Sequence, residues 1–189
     1  PIGVARGSVR GSIVHRQLNE YVSWGRDVFL QQNRQVHPLV RVCLASLEKR
    51  GLYPLVAEYR VACVAVGLGS ALDLGCVNFN TGAFTWIEVK TVDQRSKFEA
   101  AEQGRYSGRL GAINAEQHGA LAYSACSRAR VQLGVTVLMA VEGTGYKDSF
   151  DAYVLLLSDD QREGTFYPVN ETFLLTYAVP VYLDIQQRL

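Results

Sequence analysis

Four cysteines, five prolines, one methionine and three histidines are spread over 189 residues, and none of them forms a dense pattern. Cys43, Cys63, Cys76 and Cys126 show no Cys-x-x-Cys spacing, which leaves a zinc site or a secreted disulfide framework without support. Three of them lie in apolar stretches, so buried free thiols are expected, and with them a reducing, intracellular compartment, nucleus or cytoplasm left open. No run approaches the roughly 18 apolar residues of a membrane span, and the N-terminus lacks the apolar core of a signal peptide. No membrane partner is therefore expected. Excess charge is missing too: 19 Lys and Arg against 18 Asp and Glu leave a net charge of +1, too little for a global field that attracts nucleic acid. Any basic surface must be local. Arg26, Arg34, Arg41, Lys49, Arg50, Arg95, Lys97, Arg105 and Arg109 are its candidates, with plain solvated faces as the alternative.

Familiar phosphate and nucleophile motifs are absent as well. There is no Gly-x-x-x-x-Gly-Lys loop and no Gly-x-Ser-x-Gly elbow, and the Gly-Leu-Gly-Ser stretch at 67–70 leads into a strand where dinucleotide binding needs a helix. Neither internal repeats nor low-complexity tracts appear. A chain with 48% apolar and 20% charged residues is long enough to bury a proper core. One domain over 1–189 is expected. Because the chain begins at Pro1, it is expected to be a piece of a longer protein or a processed product.

Periodicity supplies the elements. Residues 9–32 predict a helix with Ser12 as N-cap and an apolar stripe of Val14, Leu18, Tyr21 and Val22. Pro38 opens a second helix, Leu39 to Lys49, which Gly51 closes. Strands follow at about 55–66, 71–79 and 83–91. Asp93 to Gly111 reads as a loop or broken helix, and a helix is expected near 112–129 with Gln117, Leu121 and Ser124 on one face. Leu133 to Glu142 and Ala152 to Leu157 read as strands, and Phe173 to Leu183 as a last strand or extended segment interrupted by Pro180. Helices, three strands, a helix and more strands describe an α/β sandwich with a mixed central sheet.

The most specific feature is the segment from Asp73 to Lys90. Apolar residues alternate on both sides of Asn80-Thr81-Gly82, the signature of a hairpin. On its second strand, Trp86, Glu88 and Lys90 point to one face, and Asp73 on the first strand folds back toward them. Two carboxylates and a lysine then share one site. Such a cluster is costly without a cation, and Mg²⁺, which takes hard oxygen ligands and keeps several waters, resolves it. The bland reading is an exposed strand with an ordinary Glu-x-Lys pair.

The pattern Asp73…Glu88-Val89-Lys90 resembles the PD-(D/E)XK nuclease superfamily, with Leu72 where the family name has proline. Gly11-Ser12-Ile13-Val14-His15 is similar to the Gly-x-x-x-His helix of the RecB-like and lambda-exonuclease-like branches. Glu58 falls where those branches carry a glutamate on the first core strand, and Gln117 to Tyr123 resembles their Gln-x-x-x-Tyr helix with a longer spacing. These elements run in order over about residues 8 to 127. The resemblance implies a restriction-endonuclease-like α/β/α sandwich and a Mg²⁺-dependent nuclease acting on DNA, with Mn²⁺ expected to substitute. It further implies Asp73 and Glu88 as metal ligands, His15 and Glu58 assisting at the metal, Lys90 orienting water or stabilising charge, and Gln117 and Tyr123 binding substrate. An RNA endonuclease using the same site, and a catalytically silent module that binds nucleic acid or protein, remain open alternatives. Oligomers are possible on the same analogy.

Overall fold

The computed structural model describes residues 2–63, 68–100, 121, 124–144 and 150–187. Three helices come first: α1 (Ile2–Trp24), α2 (Arg26–Gln32) and α3 (Pro38–Lys49). Then follow β1 (Leu52–Cys63), β2 (Leu68–Asn78), β3 (Phe84–Val92), a short α4 (Arg95–Glu99) and a long α5 (Ala125–Thr144). The described chain ends with β4 (Phe150–Ser158), β5 (Thr165–Pro168) and a helical tail made of α6 (Glu171–Phe173), a wider π-helical turn (Leu174–Ala178) and α7 (Val179–Gln187).

The five strands lie in chain order in one sheet. β1, β2 and β3 are antiparallel neighbours, β3 and β4 are parallel, and β5 returns antiparallel on β4. Parallel neighbours need a long crossover, and the segment holding α4 and α5 supplies it. Each face of the sheet carries its own helical layer. Val14, Leu18, Phe29, Leu39, Val40 and Leu47 from α1, α2 and α3 pack on Leu74, Ile87, Val89, Leu155 and Leu157. Leu133, Val137 and Met139 of α5, with Phe173 and Val181 of the tail, pack on Leu72, Val154 and Leu156. β4 feeds both cores, which explains its unbroken apolar run. The result is an α/β/α sandwich with a mixed central sheet, as expected.

Local signals account for the N-terminal half. Pro38 starts α3, and His37 caps it by accepting the Leu39 N–H on Nδ1 at 3.2 Å. Gly51 ends it with φ of 69°, and a Cβ there would meet Asn80 Nδ2 at 2.5 Å. The hairpin turn closes as Gly82 N donates to Asn78 O at 2.7 Å. Cys43, Cys76 and Cys126 are buried free thiols, and burial raises the pKa of each.

Several expectations need correction. The first helix begins at Ile2, so Ser12 is an interior residue and not its N-cap. It also breaks at Gly25, whose φ of 77° is a conformation that suits glycine. Leu133 to Glu142 is not a strand but the second half of α5. That helix lies between the sheet and the C-terminal tail, with Leu133, Val135, Thr136, Val137, Met139 and Ala140 all buried. An all-round apolar helix has no amphipathic period to distinguish it from a buried strand. Gly134 shows how closely the layers meet, since a Cβ there would come within 2.6 Å of Ala178 Cβ. Phe173 to Leu183 is likewise helical, capped where Asn170 Oδ1 accepts the Phe173 N–H at 2.9 Å. Pro180 sits at the second position of α7, directly after the wide turn, where a missing N–H costs least. β5 was not expected, because a four-residue edge strand carries almost no periodic signal. The expected helix near 112–129 lies for the most part outside the described residues; its described C-terminal part opens α5.

Candidate functional site

The site forms where the hairpin stops being regular. β2 and β3 pair from Val77↔Phe84 to Leu74↔Ile87. Continuing that register would set Asp73 against Glu88. Instead, the Val89 backbone N–H donates to Asp73 Oδ2 at 2.7 Å, so a side chain takes the place of the neighbouring strand's carbonyl. The pleat changes at the same point. Leu72 and Leu74, two apart on β2, should share a face, yet Leu72 joins the α5 core and Leu74 the α1–α3 core.

β1 makes the same reversal one strand over. Glu58 falls between the pairs Ala57↔Leu74 and Tyr59↔Leu72, in register with Asp73. Its φ is 50°, a left-handed value that costs a non-glycine residue about 1 kcal/mol or more and is found preferentially at functional sites. Ala57 packs toward α1–α3 while Val61 belongs to the α5 core. Both strands therefore turn over at the Glu58–Asp73 position.

Helix α1 delivers His15 to this point. The stripe of Val14 and Leu18 buries against the sheet, which places His15 Nδ1 3.2 Å from Asp73 Oδ1. Gly11, one turn earlier, lets the helix approach β3, since a Cβ there would lie 3.4 Å from Thr91 Oγ1. Gln17 locks the helix in place. It is buried, its Nε2 donates to Gln35 O at 3.0 Å, and its Oε1 accepts the His37 N–H at 2.9 Å. Sequence reasoning passed over Gln17, although a polar residue on the apolar stripe of Val14 and Leu18 signals a buried hydrogen-bonding role. It also missed the Val89 amide, for which no side-chain pattern exists.

Glu88 is only 5% exposed. Lys90 Nζ donates to its Oε1 at 2.6 Å, and about a third of the lysine side chain remains in solvent. Burial raises the Glu88 pKa above the usual carboxylate range, and Asp73 raises it further, against the opposing pull of Lys90 and His15. The His15 pKa is raised mainly by its hydrogen bond to Asp73, which outweighs the lowering effect of burial. Two carboxylates, an imidazole and an ammonium thus hold one another in mutual electrostatic contact.

Asp73, Glu88, Lys90 and His15 are therefore brought together. Glu58 is in register with Asp73 and exposed. Gln117 and Tyr123 lie outside the described residues. Among the described residues, no group of three or more His, Cys, Asp and Glu side chains is assembled to hold a metal by itself. The donors still suit Mg²⁺, which needs only one or two carboxylates and fills its remaining positions with water and substrate oxygens. Asp73 and Glu88 would be the holders.

No family model matches the chain, and no curated protein matches it. Among solved structures, a protein from Eubacterium rectale described as a "putative exonuclease" is similar at a TM-score of 0.46 and 10% identity, over 93% of this chain. The chain spans 66% of that protein, just under two thirds of its length. What defines the molecule is its own geometry: an α/β/α protein with an acidic and basic cluster at a distorted hairpin. Among the described residues, no helix is long and apolar enough to cross a membrane.

Proposed function

We propose that the protein is a Mg²⁺-dependent nuclease that hydrolyses phosphodiester bonds of DNA. The observation that carries this reading is Glu88, a carboxylate buried next to Asp73 whose charge Lys90 and His15 offset only in part. Proteins seldom bury such a pair without a use for it, and a cation recruited between the two groups relieves the strain.

Asp73 and Glu88 would hold the ion, which when bound polarises a phosphate and lowers the pKa of a water. The chain's own groups supply the rest. His15 and the Val89 amide fix the two oxygens of Asp73, so the carboxylate is oriented before substrate arrives. Glu58, on the neighbouring strand, assists at the same centre. Lys90 keeps one side toward Glu88 and the other toward solvent, where it can orient the attacking water and stabilise charge growing on the phosphate oxygens. In the hydrolysis, water oxygen bonds to phosphorus, the bond to the sugar oxygen breaks, and the proton lost by water ends on the leaving oxygen. Gln117 and Tyr123 would contact the substrate.

A gel assay with linear duplex DNA, circular single-stranded DNA and RNA, each with Mg²⁺, Mn²⁺ or EDTA, tests the proposal. Cleavage of DNA with either metal and none in EDTA is expected. RNA cut in preference to DNA moves the same site to the other substrate. No cleavage of any substrate with either metal refutes the reading.

A further inference from the structure

Next to the carboxylates lies an aromatic cluster that the chemistry above does not use. Tyr59 of β1 and Trp86 of β3 have ring centroids 5.7 Å apart, and the Phe84 ring meets Trp86 edge-on at 4.6 Å. β1 and β3 are not neighbours, because β2 runs between them. The rings meet across Gly75, which is paired with both Val56 and Trp86. A Cβ on Gly75 would lie 2.7 Å from Phe84 Cζ and 2.6 Å from Val56 Cγ2, so this trough exists only because that residue has no side chain.

The cluster is open. Trp86 packs by one side against the α5 core, yet it and Phe84 are only half-buried and Tyr59 is 38% exposed, which leaves contiguous ring surface in solvent for a ligand. Tyr59 also reaches this face through the reversal at Glu58. Ala57, two residues earlier, packs toward α1–α3, and without the left-handed turn Tyr59 would follow it. Strained backbone at Glu58 therefore sets a carboxylate and the ring beside it together.

We propose that Tyr59, Trp86 and Phe84 form a stacking platform for an unpaired nucleobase, so that the site takes single-stranded nucleic acid or a frayed end. The proposal rests on the nuclease reading and adds the form of its substrate. Trp86 precedes Glu88 by two residues on the same face of β3, roughly 6.6 Å along the strand. A phosphate held at Glu88 and Lys90 thus has its own base, or the next one, within reach of the rings. Net charge supports the same occupant. Affinity for a duplex backbone comes from many phosphate contacts and released counterions, and a chain of net charge +1 has little such field. Stacking on exposed rings binds any base and needs no excess of cations.

The test uses tryptophan fluorescence in EDTA, so that nothing is cleaved. Trp24→Phe leaves Trp86 as the single reporter, since the chain has two tryptophans. Oligo-dT, oligo-U, an abasic strand of equal length and a blunt duplex are titrated in turn. Quenching by the base-bearing strands and not by the abasic one is expected, and the tighter of dT and U identifies the sugar. Tyr59→Ala should weaken dT binding about tenfold or more, and Tyr59→Phe should restore it. Equal binding of abasic and base-bearing strands overturns the platform, as does dT affinity unchanged in Tyr59→Ala. If Tyr59→Ala does not fold, the abasic comparison on the parent protein decides alone. A protein that quenches but never cleaves loses the nuclease reading and keeps the platform; one that cleaves without base-dependent quenching loses only the platform.

Discussion

Removing the Asp73 side chain should do two opposite things to the metal-free protein. Repulsion with Glu88 disappears, which favours the folded state. The Val89 N–H loses its acceptor at 2.7 Å, and Val89 is fully buried. An orphaned buried donor costs about 1–3 kcal/mol, and His15 loses its partner as well. The amide term wins, because Lys90 and His15 already offset part of the repulsion at Glu88. For a chain of this size each kcal/mol moves Tm by about 2–4 °C, so Asp73→Ala should melt several degrees below the parent. Asp73→Asn keeps a carbonyl oxygen for the Val89 amide while removing the charge, and should melt at or above the parent. Glu88→Gln should also stabilise, with a distinct pH signature. Because burial and Asp73 raise the Glu88 pKa above 4.5, the native state holds more proton there than the unfolded chain only at pH values between 4.5 and the raised pKa. Its contribution is full below pH 4.5 and falls as pH rises through the raised pKa, and Glu88→Gln removes that slope. Thermal melts in EDTA across this range provide the measurement. Asp73→Ala and Asp73→Asn melting alike, or the alanine variant melting above the parent, would refute the reasoning.

Two further outcomes follow from the same geometry. Lys90→Ala should lose about 10²–10³ in rate, on the scale of removing one preorganised donor, yet keep Mg²⁺ binding by calorimetry, and Lys90→Arg should not rescue it because a planar guanidinium is no substitute for a compact ammonium; Mg²⁺ affinity falling in Lys90→Ala as far as in Asp73→Ala would sink that division. His15 has a folded pKa raised above 6.5 by Asp73, so its contribution to metal-free stability is full below pH 6.5 and is lost as pH rises through the raised value. Denaturant titrations in EDTA from pH 6 to 9 should show that decline in the parent and not in His15→Gln, and equal slopes in the two would count against the contact.

Much of the N-terminal half was legible because its signals are local. Pro38, Gly51 and the Asn80–Gly82 turn each act on a few residues, and once the turn is known, strand alternation puts Glu88 and Lys90 on one face and Asp73 opposite. That much requires no knowledge of the rest of the molecule. Leu133 to Glu142 behaved differently: its apolar run is compatible with a strand or a buried helix, and only the C-terminal tail packing on Gly134 makes it a helix buried all round. The site divides along the same line. That Asp73 returns near Glu88 and Lys90 follows from the hairpin turn, whereas the break in register at Asp73 and the approach of His15 across 58 positions (73 − 15) depend on how the strands and α1 seat on one another. The left-handed turn at Glu58, the Val89 amide given to Asp73, and the trough over Gly75 where Tyr59 meets Trp86 have no local signal, because each depends on how neighbouring strands settle against one another. Short-range sterics and periodicity are written along the chain; burial and contacts between distant segments are decided by which surfaces finally cover one another.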